Sequence, residues 1–161
     1  MSELQIVAEP GVPQIVTTRE FGAPRDLLYR AFTEPDLMAQ WLGPRKFTMK
    51  VERFDLRDGG TWRYEHIDDQ GNEFGFHGVF HGEPSPEGIV QTFEFEGAPG
   101  HVQLDTVTFE EHDGTTTVRT NSVFQTVEAR DAMVEHGMTE GMTEGYERLE
   151  ELLNTSLKSR H

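Results

Sequence analysis

The sequence predicts a single α+β domain in which a curved antiparallel sheet of about seven strands packs against two short helices and one long C-terminal helix. Three observations carry that prediction. Six consecutive stretches between Phe47 and Phe124 read as strands punctuated by turn residues. A β-branched run and two short helical patterns precede them, and one long helical pattern closes the chain. Consecutive strands joined by tight turns argue for an antiparallel meander.

Residues 1–12, with Pro10 and Gly11, show little periodicity and are expected to form a flexible N-terminal tail. The domain is expected to span 13–154, with 155–161 as a C-terminal tail. Ile15, Val16, Thr17 and Thr18 make a first strand. Pro24 suits a helix's first turn, and Leu27, Leu28, Ala31 and Phe32 follow at helical spacing. Thr33-Glu34-Pro35-Asp36 has the pattern of a capping box, opening a second short helix through Trp41 that Gly43-Pro44 stops. Phe47, Met49 and Val51 alternate along the next strand. Trp62, Tyr64 and His66 share one face of the strand Thr61–Ile67, and Phe74, Phe76, Gly78 and Phe80 share a face of the strand that pairs back on it. Ile89–Phe95, Gln103–Glu111 and Thr115–Phe124 complete the set.

The closing pattern reads as one helix from about Val127 to Leu153, about 40 Å long at 1.5 Å per residue. Gly137, Gly141 and Gly145 recur every four residues along it, beside a stripe of Met138, Met142 and Tyr146. Each helical glycine costs about 0.8–1 kcal/mol relative to alanine, so three cost on the order of 3 kcal/mol. Two readings offset that cost. The favoured one is close packing, where any Cβ would clash. The other is room beneath the helix, with methionines as an adaptable wall.

Composition narrows the function. Twenty-nine acids against 14 bases give a net charge of −15, which argues against nucleic acid and anionic membranes as partners. Cysteine is absent, so disulfides, thiolate nucleophiles and sulfur-ligated zinc are excluded. No leader-like segment or apolar run of spanning length is present, so a cytoplasmic location is expected.

A set of short segments narrows the fold further. Phe21-Gly22-Ala23-Pro24, the run Pro35 to Pro44, Asp58-Gly59-Gly60-Thr61-Trp62-Arg63, Phe76-His77-Gly78-Val79-Phe80, Val107-Thr108-Phe109, Gly114 to Val118, and Gly137-Met138 with Gly141 and Leu149 occur in that order. Together they resemble the family of activator of heat-shock-protein-90 ATPase homologues, within the SRPBCC (START and birch-allergen-like) superfamily. The resemblance covers Gln14 to Leu153. It implies a helix-grip fold with an apolar cavity between sheet and long helix. It also implies a chaperone role, which is less expected for this chain: the co-chaperone members carry an additional N-terminal domain for which it has no room.

Catalytic motifs are sparse. No phosphate-binding glycine loop and no G-x-S-x-G elbow occurs. His77 and His81 share a strand face but lie about 13 Å apart, too far to ligate one metal, and no metal or other cofactor is expected. His66 either offers the pocket a polar contact or ends its strand bonded to a loop, the latter being favoured. Arg119 is a candidate partner for an internal carboxylate, with an outward position favoured. Candidate pocket residues are Trp41, Trp62, Tyr64, His66, Phe76, Phe80, Phe93, Phe95, Met138, Met142 and Tyr146; no catalytic residue is named. The first functional expectation is a non-catalytic binding protein for a small hydrophobic ligand, acting as a monomer or weak homodimer. Alternatives are a protein-interaction module such as a partner of heat-shock protein 90, and a cyclase- or hydrolase-like enzyme using the same pocket with His66 or a buried carboxylate.

Overall fold

A computed structural model describes residues 3–157 of the chain. Its sheet has eight antiparallel strands: β1 (Gln5–Val7), β2 (Gln14–Phe21), β3 (Thr48–Phe54), β4 (Thr61–Ile67), β5 (Glu73–Val79), β6 (Gly88–Phe95), β7 (Val102–His112) and β8 (Thr115–Val123). Their spatial order is β1-β2-β8-β7-β6-β5-β4-β3. Strands β3 to β8 therefore form the expected meander, and β2 docks on β8 to place the N-terminal strand beside the last one.

The strand beyond the expected seven is β1, which lies inside the segment expected to be a tail. Gln5, Ile6 and Val7 pair with Thr18, Thr17 and Val16 and cover the outer edge of β2. Three residues are too few to show periodicity, and Pro10-Gly11 comes soon after. Of the two expected tails, residues 1–2 and 158–161 lie outside the described residues.

Two short helices, α1 (Arg25–Thr33) and α2 (Pro35–Met38), join β2 to β3. The capping box does not form. Thr33 is the last residue of α1, and its hydroxyl donates to the Tyr29 carbonyl at 2.6 Å, inside its own helix. Glu34 takes the cap position, with Pro35 in the first turn.

The C-terminal helical stretch is divided in two. Helix α3 (Val127–Glu135) ends at His136, and α4 (Met138–Leu152) begins after Gly137, whose φ of +89° is left-handed. The single helix expected from Val127 to Leu153 is thus broken at its first stripe glycine. Thr126 caps α3 by accepting from the Ala129 amide at 3.0 Å. Buried Arg130 ties α3 back to the N-terminal segment by donating to the Glu9 carbonyl at 2.9 Å.

The core lies between the concave face of the sheet and the helices. Ile15 and Phe21 of β2, Leu28 and Ala31 of α1, Val118 of β8 and Leu149 of α4 are almost wholly excluded from solvent. The sheet is irregular at one inner position. The β3–β4 register shifts between Val51 and Arg53, so Met49, Val51 and then Phe54 face His66, Tyr64 and Trp62. The bulge at Glu52 returns an even-numbered residue to the inner face.

Candidate functional site

Between the sheet and α4 lies a cavity of about 440 Å³. The parity of β4 builds one wall: Trp62, Tyr64 and His66 are all buried and all point inward. Their rings continue across the sheet. Trp62 stacks on Tyr64 at 5.3 Å between centroids, Tyr64 meets Phe76 of β5 at 5.3 Å, and Phe76 meets Phe93 of β6 at 5.4 Å. Helix α4 forms the roof with Met138, Gly141, Met142, Gly145 and Tyr146, and α3 adds Met133, with His136 at its C-terminal cap.

The stripe glycines do three different jobs. Gly137 makes the break. Gly141 borders the cavity, where an added Cβ would meet Pro44 at an ordinary 3.6 Å. Gly145 is a close approach: a Cβ there would stand 3.2 Å from the Trp41 carbonyl oxygen and 3.3 Å from the Gly43 amide nitrogen. Both readings of the stripe therefore hold, at different positions, and the tight contact is with a loop rather than the sheet.

That loop, Trp41–Pro44, closes one end of the cavity. The Trp41 indole donates to the Ala31 carbonyl at 2.9 Å, fixing its ring 5.9 Å from that of Tyr146. Arg148 of α4 donates to the Gly43 carbonyl at 3.0 Å. Gly43, at φ +98°, lies directly against the imidazole of His66. His66 thus abuts the loop and also lines the cavity. Its burial pushes the imidazole down to about 4, with the nearby Arg148 adding to the effect and a hydrogen bond to the Leu42 backbone opposing it. At neutral pH it is an uncharged ring, and its Nε2, like the Trp62 indole nitrogen, is buried without a hydrogen-bond partner among the described residues.

The opposite side of the cavity is polar. Asp105 of β7 is buried, with Gln91 of β6 and Ser122 of β8 as its register partners, and all three line the space together with Gln103 and Thr120. The Gln103 amide donates to Asp105 at 2.9 Å. Burial raises the Asp105 carboxyl, and bonds from Gln103 and Ser122 work against that rise. Burial also raises the phenols of Tyr64 and Tyr146, the latter to about 12, so both stay neutral.

Of the eleven residues expected at the pocket, Trp41, Trp62, Tyr64, His66, Phe76, Phe93, Met138, Met142 and Tyr146 line the cavity. Phe80 and Phe95 do not. Phe80 is 1% exposed and packs edge-on against Phe54 at 5.4 Å, deep in the core where sheet and bulge meet. Phe95 turns toward Phe74 and Phe76 near the end of β6. Arg119 is exposed, as favoured, while a buried carboxylate does exist in Asp105. The polar set on β6 to β8 escaped the sequence reading. A signal was present: Asp105 shares its parity with the core residues Val107 and Phe109.

His66 and Asp105 stand on β4 and β7, three strand spacings or about 14 Å apart along the sheet, so they form no dyad. Among the described residues no cluster of three potential metal ligands occurs, and no helix is long and apolar enough to cross a membrane.

Known proteins share this architecture. Residues 22–154 match the family described as Activator of Hsp90 ATPase homolog 1-like protein. A crystallised Rhodobacter sphaeroides protein is 27% identical, with a TM-score of 0.86 over 94% of this chain and 99% of its own. A Staphylococcus epidermidis protein solved in solution is also 27% identical, with a TM-score of 0.79 over 93% of each chain. A third, from Arthrobacter aurescens, is 23% identical and has a TM-score of 0.86 over 93% of this chain and 91% of its own. No functionally curated protein matches.

Proposed function

The chain belongs to the activator of Hsp90 ATPase homolog 1-like family, and from that premise we propose that it holds a small, largely apolar molecule between sheet and C-terminal helix without transforming it. One observation carries the reading: a cavity of about 440 Å³ walled by a near-continuous aromatic surface, which has the size and lining of a small-molecule site. Met133, Met138 and Met142 give its helical side a wall that adapts to shape. Both tryptophans of the chain border the space, which supplies an assay. Titration with N-phenyl-1-naphthylamine should give saturable energy transfer from Trp41 and Trp62, competed away by an apolar ligand. Linear, non-saturating signal would refute the reading.

A second reading is a protein-interaction module, as the family description suggests, whose net charge of −15 suits a basic patch on its partner. Co-sedimentation with heat-shock protein 90 and a measurement of its ATPase rate test that role; no complex at tens of micromolar rejects it. The cyclase- or hydrolase-like alternative draws less support. An imidazole held near 4 is a weak general base at neutral pH.

A further inference from the structure

The cavity has two unlike halves, and the difference bears on what it holds. Strands β4 and β5 contribute rings. Strands β6, β7 and β8 contribute a row in which Gln91, Asp105 and Ser122 are direct cross-strand neighbours on the inner face. Inward positions of a sheet beneath a helix are ordinarily apolar, and a carboxylate among them is costly unless it is paired.

Asp105 is incompletely paired. When ionised, its carboxyl accepts about four hydrogen bonds, and Gln103 and Ser122 supply two neutral donors, so burial favours its protonated form. Among the described residues no arginine, lysine or histidine is bonded to it. Arg19, the buried arginine of β2, is bonded instead to Glu150 of α4 at 2.9 Å. The remaining neighbours in the field of Asp105 are the phenols of Tyr64 and Tyr146, which are neutral. A buried acid therefore lines the cavity with no counter-charge bonded to it among the described residues.

Resting on the ligand-binding reading, we infer that the cavity selects an organic cation: an apolar body carrying a protonated amine whose N–H groups reach Asp105. Three features act in the same direction. The amine supplies the donors and the counter-charge that a buried carboxyl needs in order to ionise. The faces of Trp62, Tyr64 and Phe76 attract a cation through their quadrupoles. The net charge of −15 raises the local concentration of cations around the molecule. An anionic ligand meets the opposite of all three.

The test uses four probes on one skeleton at pH 7: 2-methylnaphthalene, 2-naphthalenemethanol, 2-naphthylmethylamine and 2-naphthoate, with dissociation constants from chemical-shift titration. The amine should bind at least about ten-fold tighter than the alcohol, and the carboxylate weakest, since a hydrogen bond to a charged group contributes about that factor or more. Asp105→Asn should bring the amine to within about three-fold of the alcohol while leaving the alcohol nearly unchanged. Asp69→Asn, the same change of charge on the exposed β4–β5 hairpin, should leave the amine's advantage intact. An amine no tighter than the alcohol overturns the inference while leaving the pocket reading standing. So does an advantage that survives Asp105→Asn. Failure of all four probes to bind overturns both. The wild-type comparison decides the matter even if Asp105→Asn does not fold.

Discussion

Replacing each stripe glycine by alanine should give three different results from one chemical change. In a helix interior, alanine is favoured over glycine by about 0.8–1 kcal/mol. Gly141→Ala collects that gain, because the new methyl meets Pro44 at 3.6 Å and 3.8 Å, ordinary contact distances. We expect stabilisation of about 1 kcal/mol, or roughly 3 °C in Tm for a domain of this size. Gly145→Ala has the same helical gain but places its methyl 3.2 Å and 3.3 Å from backbone atoms of the Trp41–Pro44 loop. That loop cannot easily withdraw, since the Trp41 indole and Arg148 both pin it. The gain is offset or exceeded, leaving Gly145→Ala at least about 1 kcal/mol below Gly141→Ala. Gly137→Ala forces a Cβ into left-handed backbone at φ +89° and should cost about 1–2 kcal/mol. Urea denaturation followed by far-ultraviolet circular dichroism, with m values checked for constancy, measures all three. Equal stabilisation by Gly141→Ala and Gly145→Ala would refute the assignment of Gly145 to a close approach.

Two more outcomes are expected of the site. Because His66 is held near 4 against an ordinary value of about 6.5, the unfolded chain binds its proton first as pH falls. The stability this neutral ring contributes is complete above about pH 6.5 and is lost as pH falls toward 4, by roughly 3 kcal/mol in all. His66→Gln should lose stability less steeply than wild type over that window in parallel denaturation series; curves of equal slope would reject the shifted imidazole. Gly141→Leu should fill the cavity from its roof, abolishing dye binding while the far-ultraviolet spectrum stays that of the wild type. Retained affinity would place the dye elsewhere.

Much of the fold was legible because its strands obey period two on a half-buried sheet. Trp62, Tyr64 and His66 declare their shared face by parity alone, and β4 keeps that parity because its register with β5 is unbroken. What escaped was set by geometry that residue types do not encode. A glycine inside a helix and a left-handed glycine between two helices look alike in sequence, so the break at Gly137 was invisible. Phe54 reaches the cavity only because a bulge shifts the register at Glu52. Phe76 and Phe80 share a parity, yet Phe76 on β5 lines the cavity while Phe80, just past the end of that strand, packs into the core against Phe54. Asp105 was passed over because an acid on a strand ordinarily points to water. Its parity with Val107 and Phe109 said otherwise.

Methionine supplies the most direct test of the central claim, that a ligand is held between sheet and C-terminal helix. Met38, Met133, Met138 and Met142 line the cavity, while Met49 lies on β3 outside it. With ¹³C-labelled methionine methyls, titration of an apolar amine should shift the resonances of those four saturably and with one dissociation constant, leaving Met49 in place. Shifts confined to Met49, or none at saturating probe, would contradict it.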